Sequence, residues 1–151
     1  MRKLTTYILF VAACVAIGVL SGIANMPGEW YQALEKPPLN PPNWIFGPVW
    51  AALYVMIGTA LAETWFDENN RNRLIVFGLQ GILNICWSPA FFGMQNPPLG
   101  LAIILPMLFF ILLFIAMSWN ANRKAALLFV PYAVWVSFAT YLNLAIVLLN
   151  R

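Results

Sequence analysis

Five runs of about twenty apolar residues, separated by short polar turns, constrain this chain more than any other feature. They cover residues 4–24, 44–65, 73–92, 99–119 and 125–149. A helix needs about 20 residues to cross the hydrocarbon core of a bilayer. Only helices and closed barrels can satisfy their backbone polar groups there. The expected fold is therefore all-α: an integral membrane bundle of five transmembrane helices, with a long structured loop, residues 25–43, between the first two. Composition agrees. The chain is 62% hydrophobic and 9% charged, whereas about a quarter of a soluble domain is charged. Residues 1–151 are expected to form this single five-span domain, with no soluble one beside it.

The short connections DENNRN (67–72), GMQNPP (93–98) and NANRK (120–124) force the spans to alternate up and down. Six of the eight basic residues then share one side, Arg2, Lys3, Arg71, Arg73, Arg123 and Lys124, against Lys36 and Arg151 on the other. By the positive-inside rule the amino terminus is expected in the cytoplasm and the 25–43 loop outside. The first run ends in a small-x-small sequence, Gly22-Ile23-Ala24, as a signal peptide does. Its apolar core exceeds the usual 7–15 residues, so it is expected to be retained as a span. Gly18 and Gly22 form a GxxxG, a candidate contact for a second helix and hence for a homodimer. Pro89, Pro106 and Pro131 each remove a backbone bond inside a span and are expected to face neighbouring helices.

Several chemistries are excluded. The chain has no histidine, which removes histidine-ligated metals, Ser-His triads and a histidine axial ligand to haem. The cores of the spans carry no ionisable group of the kind that ion-coupled pumps keep at membrane depth. Paired carboxylates and Gly-rich phosphate loops are also absent, so no catalytic residue and no metal site is assigned. A net charge of +3, scattered over short loops, forms no nucleic-acid-binding face. Cys14 and Cys86 fall in apolar runs and are expected as small buried hydrophobes.

The stretch WYQALEKPPLNPPNWIFGPVWAALY (30–54) is the most distinctive. Pro37, Pro38, Pro41 and Pro42 fix φ and push their predecessors towards extended geometry. Residues 25–43 thus read as a stiff, partly extended lid, with Trp30, Pro41, Pro42 and Trp44 as its characteristic residues. Pro48 fits a first helical turn, after which Phe46, Trp50 and Tyr54 share one helix face. On the third span Gln80, Asn84, Trp87 and Phe91 recur at helical spacing; on the fifth, Trp135, Ala139 and Asn143 do. Spacing alone serves two readings: aromatic walls of a small-molecule cavity, or interface-marking tryptophans and ordinary packing with asparagines bonded between helices.

The pattern WY–x2–L–x–KP–x3–PP–x–W–x5–W–x3–Y, with LNICWSPAFFGM (83–94) and FVPYAVWVSFATYLN (129–143), resembles the translocator protein family of tryptophan-rich sensory proteins. The resemblance covers nearly the whole chain. It implies a cavity between the helices beneath the first loop, and carries site roles onto Tyr31, Trp50, Tyr54, Asn84, Trp87 and Ala139. The ligands it implies are tetrapyrroles, namely protoporphyrin IX and haem, with drug-like flat molecules and sterol-like lipids as further partners and no required cofactor. The sterol motif of a Leu or Val, a Tyr and a basic residue is not met at Tyr141, which has no Lys or Arg within five residues. The implied function is tetrapyrrole transport or regulation with stress sensing. Two alternatives stand beside it: light-dependent porphyrin breakdown involving Trp30, Trp50 and Trp87, and a membrane adaptor without a ligand of its own. The implied location is the bacterial cell membrane, with the outer membrane as the family's other setting.

Overall fold

The computed structural model describes residues 2–151. Its helices are α1 (Arg2–Ala24), α2 (Glu29–Ala33), α3 (Asn43–Trp65), α4 (Arg71–Ser88), α5 (Pro97–Ala121) and α6 (Arg123–Leu149), and a one-turn π-helix, Pro89–Gly93, extends α4. There is no strand among the described residues. α1, α3, α4 with its π-turn, α5 and α6 are each long and apolar enough to span a bilayer. This is a multi-pass membrane protein.

The spans pack in the order α1–α3–α6–α5–α4, and the ring is closed only lightly between α4 and α1. The densest core lies between α3, α4, α5 and α6. There Phe114 and Phe129 are fully buried, with ring centroids 4.3 Å apart, and Phe77 packs against both. α1 has no buried residue and lies against α3. Gly58 makes that contact close: a Cβ there would fall 2.6 Å from the Cα of Val11. The ends of the spans are set by local chemistry. Asn96 and Asn122 cap α5 and α6, accepting from the amides of Leu99 and Ala125, each at 3.1 Å, which satisfies free donors at a helix start.

Polar side chains tie the helix ends together at the basic end of the bundle. The Tyr7 hydroxyl donates to Glu63 at 2.5 Å, and Lys124 pairs with the same carboxylate at 2.6 Å, so α1, α3 and α6 meet there. Asp67 takes Arg73 at 2.9 Å and the Asn122 amide at 3.0 Å. At the opposite end the loop is clasped to the end of α6. The Glu35 amide donates to Asn150 Oδ1 at 3.0 Å, and Asn150 Nδ2 donates to the Glu35 carbonyl at 2.9 Å.

Four details differ from the sequence reading. The 25–43 loop contains α2, because its proline-free stretch can turn helical and bury Tyr31 against Phe91 and Phe92. α3 starts at Asn43, so Pro48 lies beyond its first turn. Pro89 and Pro131 are exposed and Pro106 is half-buried; an apolar ring rests against lipid without a protein partner. Cys86 is exposed rather than buried, and Cys14 half-buried.

Candidate functional site

The loop-side half of the bundle encloses a cavity of about 480 Å³. Tyr31, Phe46, Trp50, Tyr54, Asn84, Trp87, Phe91, Trp135, Ala139 and Asn143 all stand on its wall. The three aromatic faces expected from helical spacing thus converge on one space. Phe46 meets Trp135 edge-on at 5.7 Å across the α3–α6 boundary, and Trp50 meets Tyr132 at 6.3 Å. On the opposite side Trp87 stacks on Phe91, with centroids 5.0 Å apart and planes 22° apart. No lining side chain is charged.

The π-turn shapes this second wall. Pro89 has no N–H to continue the α-helical ladder. At the same residue the ladder widens, the Met94 amide donating to the Pro89 carbonyl at 2.7 Å. Both Phe91 and Phe92 then line the cavity, as π-turns often do at functional sites. Gly100 on α5 leaves room for this arrangement. A Cβ there would lie 3.0 Å from Asn143 Oδ1 and 3.0 Å from the Phe91 ring.

The two asparagines are occupied within the bundle. Tyr54 donates to Asn84 Oδ1 at 2.8 Å, Asn84 Nδ2 donates to the Tyr132 hydroxyl at 2.5 Å, and Tyr132 donates to Gln80 Oε1 at 2.8 Å. This chain runs from the cavity wall to Gln80, which is buried away from the cavity rather than lining it. Asn143 accepts from the Trp87 indole at 3.0 Å and donates to the Pro97 carbonyl at 2.9 Å, joining α4, α5 and α6. Buried polar groups need such partners. The indole nitrogen of Trp135 is buried with no partner.

Above the cavity the loop contributes Asn25, Met26, Pro27 and Tyr31. Burial pushes the Tyr31 hydroxyl pKa up, and Lys36 lies 4.6 Å from the centroid of its ring. The four residues expected to characterise a lid stand further out. Trp30 packs on Phe91 at 5.9 Å behind the wall, and Trp44 is 74% exposed. Pro41 and Pro42 likewise do not line the cavity. Sequence reasoning missed the wall that α1 supplies through Val15, Gly18, Ser21 and Gly22. The GxxxG was its one legible signal, and Gly18 is covered by the Tyr54 ring of the same chain.

Comparison with known proteins gives a consistent result. The model of the TspO/MBR family matches residues 10–149. The chain is 42% identical to the tryptophan-rich protein TspO of Chlorobaculum tepidum, over 99% of this chain and 98% of that one. It is 34% identical to the tryptophan-rich sensory protein of Cereibacter sphaeroides, over 95% and 90% respectively. Its identity to the translocator protein of Bos taurus is 35%, over 85% and 80%. Matched by the family model over residues 10–149 and by these relatives along most of its length, the chain belongs to the TspO/MBR family.

Proposed function

We propose that this protein binds a flat, largely apolar tetrapyrrole in the loop-side cavity and serves in tetrapyrrole transport or regulation and in stress sensing. The observation that carries the reading is the uncharged, aromatic-walled chamber of about 480 Å³, within the roughly 300–1,000 Å³ of small-molecule sites. Trp50, Trp87 and Trp135 line the chamber from three helices, and aromatic rings bind other flat rings by offset or edge contacts. The polar side chains Asn25 and Asn43 lie on the loop-side wall, with Lys36 beyond Tyr31. They suit the carboxylates of a porphyrin whose ring lies deeper. No histidine or cysteine lines the chamber, so a metal-free porphyrin fits, and haem would be held by its ring faces rather than by iron ligation through those residues. Flat drug-like molecules would use the same walls.

The test is a tryptophan-fluorescence titration with protoporphyrin IX, on protein in lipid nanodiscs. Saturable quenching at one porphyrin per chain, weakened in Trp50→Leu, is expected. Quenching that rises linearly without saturation, as from porphyrin merely dissolved in the lipid, would refute the reading.

A further inference from the structure

The cavity has a mouth on its side as well as a loop above it. On α1, Val11, Gly18 and Gly22 share one face at i, i+7 and i+11; on α3, Gly58, Ala51 and Gly47 do the same in the reverse direction. The two helices are antiparallel and Val11 faces Gly58, so Gly22 comes level with Gly47. The lower part of this seam is shut. Gly58 touches the α1 backbone, and Gly18 is covered by the Tyr54 ring. The upper part is open. A Cβ on Gly22 or on Gly47 would meet no atom within 4 Å, yet both residues wall the cavity and both are exposed, as is Ala51 between the two levels.

Glycines normally let helices come together, but here the pair at the top of the seam is left apart. The rim on α1 is apolar and outward-facing, with Val19 50% and Ile23 66% exposed. With a rise of about 1.5 Å per residue, the gap from Gly22 down to Gly18 lies roughly 3–9 Å inside the end of α1, within a helix long and apolar enough to span a bilayer. Water is scarce there, and an apolar ring already dissolved in the bilayer would reach the mouth edge-on.

We propose that the flat ligand enters and leaves the cavity sideways from the bilayer, through the slot between α1 and α3 framed by Gly22 and Gly47. The proposal rests on the ligand class given above. A slot bare of side chains admits a planar molecule without moving a helix, while the clasped loop can stay in place. The passage then controls how fast the ligand enters and leaves.

The experiment compares wild type with Gly22→Leu/Gly47→Leu in vesicles whose bilayer holds protoporphyrin IX, following tryptophan quenching after mixing. Association and dissociation rates should both fall, by about tenfold or more, within the range over which related complexes vary in association rate; the fall in the association rate is the decisive reading. An unchanged association rate would overturn the proposal, as would a loss of affinity carried by dissociation alone. The milder Gly22→Ala/Gly47→Ala pair should give a smaller slowing in the same sense. A second measurement needs no variant. In wild type the association rate should follow the mole fraction of porphyrin in the lipid; a rate that follows only its aqueous concentration would place entry at the loop. Absence of saturable quenching in wild type would count against the ligand class itself, which the titration reads separately.

Discussion

The indole nitrogen of Trp87 donates to Asn143 Oδ1 at 3.0 Å, across residues 56 positions apart in the chain. This bond joins the stacked wall on α4 to α6, and the other end of the same amide holds the Pro97 carbonyl at the start of α5. Asn143 is 1% exposed. Asn143→Ala would leave the Trp87 indole N–H without its partner and strip the Pro97 carbonyl of its side-chain bond, and should destabilise by about 1–3 kcal/mol. Trp87→Phe removes the donor and also destabilises. Because the two share one bond, the double variant should lose less than the sum of the singles. Thermal unfolding of all four proteins in one detergent checks this; strict additivity would mean the bond contributes nothing.

Ala139 stands on the cavity wall between Trp135 and Asn143. Ala139→Thr adds volume there, while its hydroxyl can bond a carbonyl one turn back, so folding should survive. Overpacking costs about 1–3 kcal/mol. Carried by the bound state, that is a fall of roughly 5- to 150-fold in porphyrin affinity. Titration of the variant beside wild type, with unfolding temperatures for both, checks it. Unaltered affinity would remove α6 from the site.

Gly100→Ala tests the wall from behind. The added Cβ would stand 3.0 Å from both Asn143 Oδ1 and the Phe91 ring, so both have to give way. A loss of about 1–3 kcal/mol in stability is expected, with weaker porphyrin binding because the Trp87–Phe91 stack is displaced. A variant as stable as wild type would show that the π-turn yields freely.

The basic residues predict the orientation, and two exposed positions at opposite ends of the bundle report on it. In a background lacking Cys14 and Cys86, a membrane-impermeant thiol reagent should label Leu39→Cys on intact cells. It should label Glu68→Cys only after lysis. Labelling of both on intact cells would contradict the proposed topology.

What could be read from the sequence followed helical periodicity. Phe46, Trp50 and Tyr54 recur at i, i+4 and i+8, and any straight helix puts them on one face, so their place on the wall was legible before the fold. The same arithmetic failed where the helix is not an α-helix. Phe92 falls off the face that Trp87 and Phe91 share until the π-turn brings it to the wall, and a proline signals a missing bond without saying how the chain will repair it. α1 was opaque for another reason. Its wall is made of Gly18, Gly22 and small neighbours, and a glycine shows that something comes close, or that nothing does, without saying which. That Asn84 bonds between helices was one of the two readings its spacing allowed, but its partners Tyr54 and Tyr132, 30 and 48 residues away, were hidden.

The π-turn at Pro89–Gly93 behaves as a one-residue insertion carried inside a helix. Everything after it is turned by about one residue's share of a helical turn, roughly 100°, relative to an unbroken α-helix. Remove a residue between 89 and 93 and the regular ladder has less to accommodate. Yet Phe92 would swing away from Tyr31, and Gly93 away from Asn25, whose side chain stands 3.0 Å from where its Cβ would be. The length of this stretch is therefore set by where its side chains must aim, not by what makes the steadiest helix. A deletion that a surface loop would absorb unnoticed becomes, here, a change of direction in the wall of the site.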